Sequence, residues 1–498
     1  MGQKYLIIFA QAHADFRIPE LRSVAELYGF DLTLPEEIDI SRPFLVLELA
    51  SEEHARLLAR RCILIKSLCE FYAQGATYEE VHEQNHLLCN AWSRYIEDTS
   101  FKFIVTAYNH TIPQSRQKDI VESFSYMGFL GKIDMKNPEI IMVVYEEYID
   151  KHGTTRDRCE GDGDFRQVYL GRLIEEGSAR PLVKKFDVKG RTYYGNTSME
   201  AEISLLMANQ TLAAPGKLIY DPFIGTGSMA YTTAHFGALV YGSDIDGRQM
   251  RGKDKRPGII RAAEQYGIAD RIVDLCTFDV TRNPWRCGEL FDAIITDPPY
   301  GVRAGAKRLG RKARPGKTQQ EPTVKQSFVN RSDDQPYLPP TKPYELSSLA
   351  SDLVVLARYM LKPNGRLVFF LPTVTDEYEE LDVQTMMCDG MEVISNSLQN
   401  FGSWGRRLIT IRKVTTERYL QPKFASKDLV EEGSMHVPAH KDFREKYFLG
   451  FKKKVQEEIV DSHERFSPPK SDAEEPIKES ISSPRAGEDP VEDTLRDS

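Results

Sequence analysis

Three aspartates, Asp221, Asp244 and Asp297, each close an apolar run, and they are the residues of this chain best placed to do chemistry. The run Phe291–Thr296 leads into Asp297-Pro298-Pro299-Tyr300. Two consecutive prolines cannot continue a β-ladder, so the chain must leave its sheet there. A proline carbonyl at that point is free of strand pairing. The Asp297 carboxylate and the Pro298 carbonyl together can accept both hydrogens of an aromatic amine. Such an amine shares its lone pair with the ring and is a poor nucleophile until it pyramidalises. Accepting both N–H hydrogens stabilises the charge developing on nitrogen and aims the lone pair at an incoming methyl sulfonium. Tyr300 can stack on the base that carries the amine.

The second cluster lies upstream. The run LIYDPFIGTGSMA takes an apolar strand into Asp221, then a turn with Gly225 and Gly227, then a helix start at Ser228. In a doubly wound sheet the turn after the first strand lies under the cofactor, and glycine lets the backbone come close. The next strand ends in GSDID, which puts Asp244 19 residues after Gly225, the spacing at which a carboxylate meets ribose hydroxyls. Asp279 and Val280 follow a third strand and suit an adenine amino group and ring face. These features alone fit a nicotinamide dinucleotide about as well as S-adenosylmethionine. Asp221 favours the latter, because a pyrophosphate would be repelled there and an ammonium or sulfonium would not.

The elements that position these residues alternate regularly. Strands are predicted over Lys217–Tyr220, Ala238–Gly242, Ile272–Phe278, Phe291–Thr296 and Arg366–Leu371, short and apolar as in a buried parallel sheet. Met391–Leu398 and Arg406–Lys413, parted by a short Gly-containing turn, predict an antiparallel hairpin. Earlier in the chain, strands are expected over Tyr5–Phe9, Phe44–Leu49, Phe101–Ala107 and Glu139–Tyr145. Helices are expected over Pro19–Tyr28, Glu52–Arg60 and Ser115–Tyr126. The last of these puts Ile120, Val121 and Phe124 on one face and ends at Gly128. This first part is an α+β module without a candidate nucleophile. The organisation read from the chain is an N-terminal α+β domain over 1–160, a linker over 161–190 and a catalytic domain over 191–454. That domain carries a polar, basic insertion at about 303–343, and a disordered acidic tail covers 455–498.

Bulk properties agree with two or more domains in 498 residues of net charge -9. From Asp461 onward there are eleven acids and five bases, so the tail holds most of the excess. The seven cysteines show no CxxC pair, which reads as reduced thiols of a cytosolic or nuclear protein without a zinc site. No stretch is long and apolar enough to span a bilayer, so no membrane association is expected.

DPFIGTGS, GSDID, FDAIITDPPYG and GNTSMEAEISLLMANQ resemble segments of the eukaryotic tRNA guanosine-N2 methyltransferases that act on the guanosine at position ten. FKFIVTAYN and GKIDMKNPEIIMVVYEE resemble a THUMP domain. The resemblance runs from the start to about Lys454 and implies a class I S-adenosylmethionine methyltransferase fold behind a THUMP-containing RNA-binding domain. It assigns Ser198, Met199, Asp221, Phe223, Gly225, Gly227, Asp244, Asp279 and Val280 to the cofactor, and Asp297, Pro298 and Tyr300 to catalysis. It implies a cytoplasmic enzyme acting on tRNA as the catalytic subunit of a heterodimer. The partner it implies is a small zinc-binding activator that adds a strand to the open edge formed by Ile272–Phe278. Adenine-N6 and protein-glutamine methyltransferases use similar loops, most often with Asn first. An RNA-binding protein with an inactive domain and a nicotinamide dehydrogenase are the remaining alternatives. A chain starting near Gly161 is expected to keep cofactor binding and to lose most affinity for tRNA.

Overall fold

The computed structural model describes residues 2–149, 165–252, 258–300, 305–310, 340–424 and 438–448. Most of the basic insertion and all of the acidic tail therefore lie outside the described residues. The first half contributes β1 (Gln3–Phe9), β2 (Leu32–Thr33), β3 (Phe44–Leu49), β4 (Ile65–Gly75), β5 (Phe101–Tyr108), β6 (Ile140–Tyr148) and β7 (Phe165–Glu176). They form one sheet in the order β2-β3-β1-β4-β7-β6-β5. Only β5 and β6 run parallel, and the helix Gln114–Ser123 makes the crossover this demands. That helix buries Ile120 and is followed by a short turn ending at Gly128, whose φ of 64° is the left-handed stop expected of glycine.

The linker reading of 161–190 is corrected here. Its residues 165–176 are β7, which lies between β4 and β6. β4 was also not read from the sequence, and one cause serves both. Glu70 of β4 stands directly opposite Arg172 of β7, and the two buried side chains pair at 2.7 Å. A charge neutralised by its cross-strand neighbour can sit inside a sheet, yet in the sequence it interrupts the apolar run that marks a buried strand. A chain cut near Gly161 would carry β7 without its sheet, so it is not a clean test of what the first half contributes.

The second half adds β8 (Leu218–Asp221), β9 (Leu239–Asp244), β10 (Ile272–Thr277), β11 (Phe291–Thr296), β12 (Lys307–Leu309), β13 (Thr341–Pro343), β14 (Leu361–Val374), β15 (Met391–Asn400) and β16 (Trp404–Lys413). Seven of these make a sheet in the order β10-β9-β8-β11-β14-β16-β15. It is parallel from β10 to β14 and ends in the antiparallel β15–β16 hairpin. This is the class I methyltransferase arrangement anticipated above, with the strand order reversing beside β8. β12 and β13 form a separate two-stranded ribbon. Among the described residues no helix is long and apolar enough to cross a membrane.

The two sheets belong to one compact unit, Met1–Tyr447. A single apolar cluster passes from Tyr5 and Leu58 through Leu206 to Val368. A buried polar network crosses the same boundary. Glu20 accepts from the backbone N–H groups of Ile63 and Leu64 and from Asn209 Nδ2 at 2.7 Å. Arg61 Nε donates to Asn209 Oδ1 at 2.7 Å, and its guanidinium lies 3.5 Å from the centre of the Phe236 ring. Arg366 donates to Ser23 Oγ and the Gln210 carbonyl and pairs with Glu26. Burial pushes Glu20 up to about 7, against the pull of these donors. Asn209→Ala removes one partner each from Glu20 and Arg61 while both stay buried. It is expected to cost about 2 kcal/mol, read from the urea midpoint. A change below roughly 0.5 kcal/mol, the scale of an ordinary surface substitution, would show that the network does not hold the halves together.

Candidate active site

The carboxyl ends of β8, β9, β10 and β11 deliver the predicted residues to one end of the second sheet. Asp221 closes β8 and is wholly buried. Its Oδ1 accepts from Thr296 Oγ1 at 2.9 Å and from Phe223 N at 3.0 Å, whereas its buried Oδ2 meets no hydrogen-bond partner. Burial pushes this carboxyl up to about 8; Asp244 and Asp297 add repulsion, and the Thr296 and Phe223 hydrogen bonds oppose the rise. A buried, unneutralised carboxylate oxygen is costly without a partner, so the site suits a cation at this point.

The glycine turn is held by the second acid. Asp244 Oδ2 accepts from Gly225 N at 3.0 Å, and Oδ1 accepts from Asp246 N at 2.8 Å. Each oxygen keeps a lone pair for a hydroxyl donor. Gly227 has φ 85°, and a Cβ there would come within 2.9 Å of the Tyr231 ring. Ser198 joins the same turn, with its Oγ 2.7 Å from Thr226 Oγ1. Met199, by contrast, has its side chain in the apolar core, so any contact it offers a ligand comes from its backbone. Phe223 and Val280 line one small cavity together with Thr281, Tyr344, Leu349 and Leu353.

Asp279 is placed differently from the expectation of an acid open to a ligand. Its Oδ1 accepts from Thr281 N and Oγ1, both at 2.8 Å, and its Oδ2 accepts from Leu309 N at 2.6 Å. The ribbon that begins the basic insertion is thus anchored on this carboxylate.

Asp297 follows β11 with Pro298 buried beside it. Its Oδ1 is buried without a hydrogen-bond partner. Burial pushes it up to about 6, opposed by the positive charge of Arg406. Tyr300 bridges to Gly305, meets the Phe443 ring, and packs with Phe223 and Trp404 against one apolar cluster that includes Leu349. The cluster joins the turn after β8 to the loop after β11, so the two predicted motifs form one site.

The comparisons with known proteins agree with this layout. Residues 3–180 match the family model described as the Tmrp11 THUMP N-terminal domain, a span that takes in β7. Residues 189–313 match the RMKL-like methyltransferase domain. The tRNA (guanine(10)-N(2))-methyltransferase of Saccharomyces cerevisiae is 35% identical over 458 residues, covering 90% of this chain and 100% of that protein. The chain belongs to the tRNA (guanine(10)-N(2))-methyltransferase family. The Schizosaccharomyces pombe member is 34% identical, covering 89% of this chain and 96% of that one. The Homo sapiens member, TRMT11, is 33% identical, with 93% and 98% covered.

Within this family member, sequence reasoning missed Thr296, Thr226, Glu200 and Arg406. Thr296 orients Asp221, and Thr226 meets Ser198. Glu200 and Arg406 pair at 2.8 Å although 206 positions separate them, so no local pattern could have joined them. One signal was available for Thr296, a polar residue directly before Asp297 at the end of an apolar strand.

Proposed function

We propose that this chain transfers a methyl group from S-adenosylmethionine to the exocyclic N2 of the guanosine at position ten of tRNA. In this reading it is the catalytic subunit of a heterodimer with a small zinc-binding activator. The observation that carries the reading is Asp297, whose Oδ1 is buried and short of a partner, followed by the buried Pro298. When bound, the cofactor supplies an electrophilic methyl on a sulfonium. Asp221 faces its cationic methionine end, with Ser198 and the backbone of Met199 nearby. The backbone of Gly225 and Gly227 lets it approach. Asp244 takes the ribose hydroxyls, and Phe223 and Val280 hold the adenine. Asp279 Oδ2 accepts from the N–H of Leu309 and keeps one lone pair for an adenine amino group. A dinucleotide is disfavoured, since its pyrophosphate would meet Asp221.

On the acceptor side, Asp297 and the Pro298 carbonyl accept hydrogen bonds from the two N2 hydrogens. The nitrogen lone pair is thereby directed at the methyl, and the positive charge that forms on nitrogen is stabilised as it appears. Asp297 takes one of these hydrogens as a proton once the nitrogen has gained its methyl group. Tyr300 supplies an aromatic face for the flipped base. The N-terminal half, with its THUMP-type match, supplies affinity for folded RNA through shape and backbone contacts. The exposed edge of β10 supports the activator assignment, because Val273 is 52% exposed on the outermost strand.

The test is a methyl-labelled cofactor offered with bulk tRNA, DNA or protein to the chain co-expressed with the activator. Label is expected in tRNA and is recovered as N2-methylguanosine on digestion. Label in adenine or in protein glutamine would overturn the assignment.

A further inference from the structure

The sheet order separates two groups of polar residues. Apart from Ser198 and Met199, which precede the helix Ala201–Gln210, those assigned to the cofactor lie at the ends of β8, β9 and β10, on one side of β11. On the other side β14 intervenes, then β16. Thr296 is in register with Phe369, which puts Asp297 level with Phe370. Across β14, Phe370 pairs with Leu408 and Pro372 with Arg406. The Arg406 guanidinium lies back over the ring of Phe370, the residue level with Asp297, 4.4 Å from its centre, and 5.7 Å from the centre of the Phe401 ring.

This arginine is buried and firmly aimed. Its Nε donates to Gln399 Oε1 at 2.7 Å, directly across the β15–β16 ladder. Its Nη2 donates to Glu200 Oε1 at 2.8 Å, and Gln399 Nε2 donates to the same oxygen at 2.9 Å. Among the described residues nothing accepts from Nη1. A planar guanidinium held through both Nε and Nη2 presents its remaining donors in a fixed direction. Asp297 feels its positive charge.

Guanine presents the amine N2–H2 and the N1–H as donors and, on the same edge, O6 as an acceptor. Asp297 and the Pro298 carbonyl are acceptors and complement the amine end. A donor is needed at the other end, and Arg406 is the cation placed there. We propose that Arg406 donates from Nη1 to O6 of the target guanine and so selects guanine among bases that carry a 2-amino group. The assignment rests on the guanine-N2 reading above and adds the residue that recognises the base. Glu200 and Gln399 are positioning residues for Arg406.

The test uses tRNA carrying either guanine or 2-aminopurine at the target position. The second base keeps the amine that is methylated and lacks both O6 and the N1 hydrogen, so the comparison with Arg406→Met isolates the O6 contact. With the wild-type complex, kcat/KM is expected to fall roughly 10–100-fold from guanine to 2-aminopurine, as for loss of a charge-assisted hydrogen bond. Arg406→Met should lose a similar factor on guanine and little on 2-aminopurine, so that the two bases become nearly equal. Gln399→Ala, which leaves the arginine present but less firmly aimed, should narrow the preference in the same direction and keeps the test open if Arg406→Met folds poorly. Equal losses on both bases would mean that Arg406 acts only on the fold or on Asp297, and would overturn the assignment. A wild-type complex that methylates neither base would instead overturn the guanine-N2 reading itself, and the assignment with it.

Discussion

Asp297→Ala is expected to lower kcat by at least ~100-fold while cofactor and tRNA still bind. In the proposed role the carboxylate acts on charge that develops only in the transition state, and loss of one preorganised acceptor of that kind costs about 3 kcal/mol. Little structural penalty is expected, because Oδ1 of Asp297 has no hydrogen bond to lose. The same residue sets a pH limb. It works as the ionised acceptor, and burial raises its pKa to about 6, so activity rises as pH climbs through that region. In kcat/KM, which reports the free enzyme, the limb is expected near about pH 6. In kcat it moves lower, because a bound cationic cofactor favours the ionised form. Wild-type turnover in the variant, or a flat profile between pH 5 and 7, would remove Asp297 from the role proposed for it.

The second large effect concerns the outer edge of β10. Among the described residues no strand pairs beyond it, and Val273 is half exposed there. An apolar edge of this kind invites pairing with another chain. Strand addition from an activator would bury Val273 and satisfy the free backbone groups. Val273→Asp places a carboxylate in that contact and is expected to weaken the complex at least ~100-fold, measured by co-purification and titration. Adding Leu275→Lys strengthens the block, but Leu275 packs partly against the core, so the single variant is the cleaner one. The isolated chain is expected to be poorly soluble and inactive, and co-expression with the activator to restore both. A soluble, fully active monomer would show that the edge needs no partner.

The second sheet was legible because parallel strands buried on both faces read as plain apolar runs. Each of its five predicted parallel strands and both hairpin strands is present, with ends shifted by a few residues. The positions of Asp221, Asp244, the glycine turn and Asp297 were legible because turn chemistry and strand ends fix their spacing, whereas Ser198 was reached only through the family resemblance. β4 and β7 were not, since Glu70 and Arg172 look like surface residues until each is seen opposite the other. The Arg406–Glu200–Gln399 group was illegible for a different reason. Its members come from a helix N-terminus and from facing positions of the hairpin, and only the folded sheet brings them together. Asp279 was half legible: its position at the end of a strand was foreseen, its bond to Leu309 was not, because a backbone donor leaves no trace in residue type.

The shared core beneath the two halves has one more consequence. Glu20, Arg61, Asn209 and Arg366 bolt the N-terminal sheet to the catalytic sheet with polar contacts that a sliding interface could not keep. The span from the N-terminal half to Asp297 is therefore built in. On the proposed reading such a molecule would work as a caliper with a single opening: the nucleotide lying at the right distance from the gripped part of the RNA would reach the carboxylate, whatever the sequence between them.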